Sequence, residues 1–448
     1  MFLYILLYAM LFVALPSMHC VEKNHDKVFV SLDKAHDARS VTKEKMSLLL
    51  GVLPHSDECI KKTLPYLQAC LERTGQFAVS VQYFQKPRLK REIQALFEKG
   101  FDWVIFVSQT DDKKGYEWRL YDPTDAEMVK GQRVYPRSKL TREAGYAIAD
   151  HLWPCLCNDQ GSFMSKIAYI KRGKDHHKKP TSSIYVCDYD GSHKQVLQSQ
   201  KGIYVGTYWH RSSYNPSLLC SEFTKFNVRL VSFNMDAYKR VVLSVDGTCV
   251  GISLSEHSQE ALYCRSGDIW HYGYNSKLKK SVHTRLIKHA GKNSDPILLP
   301  SGDIIYCSDD PLLHTQGARS KGAKICYYDN IKKSTRVLTP DGYCVSPCYN
   351  TLKKRLIYSR KSNGYMQLYM YDLQSDKHTQ LTHGKGNKTD SCLSPCGQYV
   401  VFCYDDGLSS RIAVYYIPTK KMWFITPKNE ECVYPSWSNK LHFLISVV

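Results

Sequence analysis

Short apolar runs recur along the last two thirds of this chain at a period of about 40–50 residues, and no other feature narrows its fold so sharply. One series reads Ile167-Ala168-Tyr169, Leu218-Leu219-Cys220, Val250-Gly251-Ile252, Ile304-Ile305-Tyr306, Leu356-Ile357-Tyr358 and Val400-Val401-Phe402, with third residues 51, 32, 54, 52 and 44 apart. A second series follows each copy: Ile184–Asp188, Val228–Ser232, Ile269–Gly273, Ile325–Asp329, Leu368–Asp372 and Ile412–Tyr416. Strand-length runs separated by Gly, Asp, Asn, Ser and Pro turns signal a sandwich, a barrel or a propeller. The period decides for propeller blades, because one four-stranded blade cannot bury both faces until neighbours stack around a ring. Six copies predict six blades. Cys344-Val345-Ser346-Pro347 and Cys392-Leu393-Ser394-Pro395 precede two copies, and Val433-Tyr434-Pro435-Ser436-Trp437-Ser438 repeats this half-motif near the end, whereas the copy at Ile167 lacks it. The C-terminal piece is therefore expected to supply the inner strand of blade one and close the ring, removing open sheet edges.

Residues 27–155 have a different texture, alternating strand-like and helix-like pieces. Val28-Phe29-Val30, Leu48–Leu53, Trp103–Val107 and Trp118–Tyr121 read as strands. Ser56 and Asp57 open a helix carrying Ile60, Leu64, Leu67 and Leu71 at helical spacing, with Pro65 as an internal flaw. Further helices are predicted over Arg88–Lys99, ended by Gly100, and over Arg142–Leu152. No Gly-x-Gly-x-x-Gly follows any of these strands, so this is not read as a dinucleotide domain. The expected organisation is multidomain: a leader over 1–20, an α/β domain over 21–157, and a six-bladed β-propeller over 160–448.

The leader is apolar from Met1 to about His19, with charges beginning at Glu22, and reads as a secretory signal. It lacks a positive n-region, so a short membrane anchor is the alternative. The net charge of +19 lies entirely beyond Cys20 and attracts polyanions of any kind. No nucleic-acid motif accompanies it, and the densest run, Lys171–Lys179, falls between two strand-like pieces as a solvated loop would. No nucleic-acid role is predicted. Seventeen cysteines, an odd number, leave at least one without an intramolecular partner. Cys187, Cys307, Cys326 and Cys403 sit in strand-like runs and are read as small buried apolar residues. Cys155 and Cys157 follow His151, but zinc sites want four ligands at recognisable spacing, and a boundary thiol pair is the expectation. Neither a metal nor a cofactor is predicted.

On Lys166-Ile167-Ala168-Tyr169-Ile170, the Cys187-Asp188-Tyr189-Asp190-Gly191 turn and Tyr434-Pro435-Ser436-Trp437-Ser438, the chain resembles the TolB family over nearly its whole length beyond the leader. Gly100-Phe101-Asp102-Trp103-Val104-Ile105 and the Arg142–Leu152 helix match more loosely. The family's Ser-Pro-Asp-Gly turns are altered here to Ser346-Pro347-Cys348-Tyr349, Ser394-Pro395-Cys396-Gly397 and Ser244-Val245-Asp246-Gly247. The resemblance implies a monomeric, non-enzymatic periplasmic protein of the Tol–Pal system. Its propeller face would bind the Pal lipoprotein and its N-terminal region TolA, in support of outer-membrane integrity and constriction at cell division. Carried onto this sequence, residues just before each inner strand would ring the channel mouth. That points to Arg240, Asp295, Tyr343, Asp390 and Tyr434 as Pal-facing candidates. The segment Val21–Ser31, with Val21, Val28, Phe29, Val30 and Ser31, is the candidate for TolA.

Enzyme readings stand beside this one. No Gly-x-Ser-x-Gly elbow and no His-Glu-x-x-His occurs, which removes the commonest hydrolase arrangements. A lyase or glycan hydrolase working inside the channel would need convergent carboxylates, whose pairing spacing alone does not show. A generic envelope propeller with another acidic partner fits the charge equally well.

Overall fold

The computed structural model describes residues 45–447 apart from 53–57, 85–89, 137–140, 200–201, 211–215, 246–248, 255–259, 277–278, 289 and 442–444. The leader, the Val21–Ser31 segment and the predicted Ser56 cap lie outside the described residues.

The N-terminal sheet holds β1 (Met46–Val52), β2 (Phe77–Tyr83), β3 (Trp103–Gln109), β4 (Tyr116–Asp122) and β5 (Glu127–Pro136), in the order β2-β1-β3-β4-β5. β2 and β3 run parallel to β1, and β4 and β5 follow antiparallel. β1 and β3 are near-continuous apolar runs because they lie centrally, buried over most of their length. The sequence reading did not anticipate β2 or β5. β5 carries Glu127, Lys130, Gly131 and Arg133, a composition that strand propensity disfavours.

Three helices accompany the sheet: α1 (Glu58–Arg73), α2 (Lys90–Glu98) and α3 (Thr141–Cys157). Pro65 sits within α1 at an exposed position, and Lys61, whose carbonyl loses its helical partner there, is exposed as well, which lowers the cost of the break. α2 stops where expected, with Gly100 at φ +85° donating its N–H to Phe97 O at 2.8 Å.

The remainder is a ring of six four-stranded antiparallel sheets. The inner strands of blades 1 to 6 are Glu431–Trp437, Ile203–Trp209, Cys249–Leu254, Asn293–Leu298, Cys344–Asn350 and Asn387–Leu393. Glu431–Trp437 pairs antiparallel with Lys166–Lys174, so blade 1 is built from both ends of the propeller sequence. One repeat is placed differently from the sequence reading: Val250-Gly251-Ile252 lies on the inner strand of blade 3, and the second strand is Ala261–Arg265. With Tyr263 in the series, the third residues fall 51, 43, 43, 52 and 44 apart, and the irregular 32 and 54 disappear. Inner and second strands are both short and apolar, and only the ladder tells them apart. Residues 441–448, which follow the closing strand and have no place among the repeats, include Ile445–Val447, which pairs antiparallel with β5.

Cys187, Cys307, Cys326 and Cys403 are all buried core residues of the blades, and the sixteen described cysteines are all free thiols.

Helices α1 and α3 rest on the turns that link inner to second and third to outer strands of blades 1 and 6. Trp153 and Tyr146 of α3 pack edge-to-face on Phe163 and Tyr189, with centroids 5.2 and 5.4 Å apart. Tyr416 donates to Gln76 Oε1 at 2.9 Å, and Arg73 pairs with Asp190 at 3.4 Å. The Asp150 carboxylate accepts from Phe163 N (3.1 Å) and Met164 N (2.9 Å), fixing the entry into blade 1. One face of the propeller is thus partly covered. The opposite face carries the second-to-third hairpins, the links between blades and the openings of the inner strands.

Candidate functional site

The channel along the ring axis is lined by the six inner strands, and each carries the same irregularity. At Gly206, Gly251, Asp295, Ser346, Asp390 and Tyr434 the backbone turns to positive φ, between +49° and +69°. The pairing with the neighbouring second strand slips in register within each of these six strand pairs. These are β-bulges, which re-aim a side chain out of the regular alternation. Two are glycines, for which this backbone is free of strain, and four carry a side chain, with the Tyr434 ring packed against the blade 1–2 core. At Gly251 the space is closed as well, since a Cβ there would lie 2.9 Å from Asp295 N.

Two of the four side chains are carboxylates. Asp295 accepts a hydrogen bond from Ser294 Oγ at 3.0 Å, and burial raises its pKa. Asp390 accepts from Thr389 Oγ1 at 3.4 Å. Burial first, and then the charge of Asp295, push Asp390 up to about 6, against smaller opposing pulls from the Thr389 hydrogen bond and Arg172. Burial thus disfavours the charged form of both carboxyls, and the charge of Asp295 adds to the effect at Asp390. Tyr208 of blade 2 is fixed close by, its hydroxyl accepting Gly251 N–H at 3.1 Å. Tyr434 receives a hydrogen bond from Arg172 Nη2 at 3.3 Å, with the guanidinium 5.5 Å from the ring centre.

Of the sequence-predicted residues, Asp295, Asp390 and Tyr434 come together at equivalent bulges. Tyr343 stands at the opening of the blade 5 inner strand and is 46% exposed. Arg240 is different: it lies in Lys239–Val245, the outer strand of blade 2, exposed at the perimeter and remote from the channel. The error came from treating the run before Val250-Gly251-Ile252 as a link between blades. Val21, Val28, Phe29, Val30 and Ser31 lie outside the described residues.

The altered turns divide in the same way. Ser394-Pro395-Cys396-Gly397 is a turn, with Gly397 N donating to Ser394 O at 2.9 Å. Ser346-Pro347 instead lies inside an inner strand, at its bulge. Gly206, Gly251, Ser346, Tyr208 and Arg172 were missed. A proline follows Asp295, Ser346 and Tyr434, and prolines within strands mark bulges, so this signal was present in the sequence.

The rim is stiffened by Lys388, whose buried ammonium donates to the carbonyls of Lys385 (2.8 Å) and Gly386 (2.9 Å). Burial lowers its pKa. Among the described residues no three His, Cys, Asp or Glu side chains converge as metal ligands. Cys155 and Cys157 face separate partners, His151 O and Gln76 Oε1. Chemically, the carboxylates of Asp295 and Asp390 with the nearby Tyr208 can pair with a cationic or hydrogen-bond-donating group.

No family model matches the chain. It is 22% identical over 170 residues to the Tol-Pal system protein TolB of Albidiferax ferrireducens, a match spanning 37% of this chain and 39% of that relative. It is 24% identical over 150 residues to the Tol-Pal system protein TolB of Nitrosococcus oceani, spanning 32% and 35%. The chain thus covers between a third and two fifths of the length of these relatives. The crystal structure of TolB from Acinetobacter baumannii superposes with a TM-score of 0.73 at 18% identity, covering 89% of this chain and 98% of that one. The six-bladed ring with its N-terminal α/β sheet is thus the fold of TolB, and over about a third of its length the chain is similar in sequence to TolB proteins.

Proposed function

We propose that this protein is a non-enzymatic binding component of a Tol–Pal envelope system, working in the periplasm. The open mouth of its propeller channel receives a Pal-like lipoprotein, and its N-terminal region contacts a TolA-like inner-membrane protein. In that position it couples the two membranes for outer-membrane integrity and constriction at division. The six inner-strand bulges along the channel carry this reading, because Asp295, Asp390 and Tyr434 occupy equivalent ones. The likeness to TolB over both the α/β and propeller regions supports it. Among the described residues no helix is long and apolar enough to cross a membrane.

The test is calorimetric titration of the chain from Val21 with the soluble domain of the Pal-like lipoprotein of the same organism, at two salt concentrations. Saturable one-to-one binding that weakens in salt is expected. A folded protein that binds at neither salt would remove the Pal assignment.

A further inference from the structure

On the uncovered face, three adjacent hairpins carry side chains that the fold itself does not use. They link second to third strands in blades 6, 1 and 2, neighbours around the ring. At the blade 2 tip, Phe226 is 87% exposed, and at the blade 6 tip, Leu408 is 86% exposed. Neither turn needs an apolar residue. The blade 2 turn is closed by Thr224 Oγ1, which accepts from Phe226 N and Asn227 N and donates to Asn227 O. The blade 6 turn is closed by Asp406, whose carboxylate accepts from Leu408 N and Ser409 N, with Gly407 at φ +85°. The two apolar side chains therefore stand in water with no packing role, apart from the Lys225 ammonium 5.5 Å from the Phe226 ring.

Between them rises the blade 1 hairpin, Lys166–Lys174 and Pro180–Asp188, whose nine-residue strands are the longest second and third strands of the ring. Its tip holds Lys174, His176, His177, Lys178 and Lys179, all exposed. Its one acid, Asp175, is occupied in the turn, accepting from His177 N (2.8 Å) and Lys179 N (2.9 Å). Acids on the flanking loops are Asp405 and Asp406 beside Leu408, Glu430, which pairs with Lys171 at 2.8 Å, and Glu431. Isolated apolar tips on either side of a cationic finger suit a bilayer surface, where the apolar groups enter the headgroup boundary and the ammoniums meet phosphates. A folded protein partner would call for a contiguous apolar patch, which separate tips do not provide.

We propose that the hairpin tips of blades 6, 1 and 2 dock on an anionic phospholipid surface. The test is co-sedimentation of the chain from Val21 with vesicles of phosphatidylcholine alone and of equal parts phosphatidylcholine and phosphatidylglycerol, with no lipoprotein present. Removing the leader leaves intact the compact unit Lys45–Val448. Capture by the anionic vesicles alone is expected, falling on the order of tenfold or more in the Phe226→Ser/Leu408→Ser double variant, which alters only exposed tips. A Lys174→Gln/Lys178→Gln/Lys179→Gln variant should lose binding similarly. Failure to sediment with anionic vesicles would overturn the proposal, as would binding indifferent to the double variant. If the lysine variant weakens the Pal titration while vesicles capture nothing, the hairpin belongs to a protein surface, and the Pal reading survives without this one.

Discussion

Replacing Asp390 with asparagine should stabilise the protein at pH 8 and leave it unchanged near pH 4. Burial and the neighbouring Asp295 lift this carboxyl to about 6 in the folded chain, whereas an unfolded aspartate titrates near ~3.9. A raised folded-state value means that the fold prefers the protonated acid. Stability is therefore undiminished below about pH 4, falls through the window from about 4 to about 6, and is lowest above it. The difference of about two units corresponds to roughly 3 kcal/mol at most, since water in the channel screens part of the charge. Asparagine keeps the shape, tolerates the positive φ of +51° and removes the charge. For about 400 residues the unfolding entropy is roughly 0.8 kcal/mol per degree, so the expected rise in Tm at pH 8 is about 3–4 °C. Scanning calorimetry of both proteins at the two pH values reads this directly. An equal shift at both pH values, or a loss at pH 8, would refute the account of the coupled pair.

Other consequences are as direct. Gly251→Ala should cost about 1–3 kcal/mol, read as a shift in urea midpoint, because the positive φ and the Asp295 backbone both oppose a Cβ. Trp437→Ala should cost about 3–5 kcal/mol and speed hydrogen exchange in blade 1 first. Its indole donates to Ser165 Oγ at 2.6 Å and packs on Tyr399, holding the closing strand in place. In the chain from Val21, one thiol equivalent, Cys59, should react rapidly with a disulfide reagent and the rest only on unfolding. Cys59 is exposed, while burial raises the pKa of thiols such as Cys155 and Cys249 and withholds the thiolate.

The ring was legible because stacking imposes a period on the sequence, and the Tyr of the second strand marks four of the six blades at Tyr169, Tyr263, Tyr306 and Tyr358. What the pattern could not supply was the rank of a strand within its blade. Val250-Gly251-Ile252 is as apolar as a second strand, and that single slip misplaced Arg240. In the N-terminal sheet β1 and β3 announce themselves as continuous apolar runs, whereas in β5 two apolar pairs, Met128-Val129 and Val134-Tyr135, are split by Lys130, Gly131, Gln132 and Arg133, and its place comes from pairing with β4. Of the candidate site less was legible. Asp295, Asp390 and Tyr434 were singled out through family likeness, whereas the inner-strand bulges they occupy were not, because positive φ at a non-glycine residue leaves almost no trace in composition. The coupling of the two carboxylates, from blades four and six, is a product of ring closure that no local window contains.

The central claim, that the uncovered mouth of the channel is the binding face, is tested most directly by hydrogen exchange of the chain with and without its Pal-like lipoprotein. Protection is predicted at the inner-strand openings around Tyr343, Lys385–Asp390 and Tyr434, with the turns under α1 and α3 unchanged. Protection confined to the N-terminal sheet, or to the outer strand that carries Arg240, would contradict it.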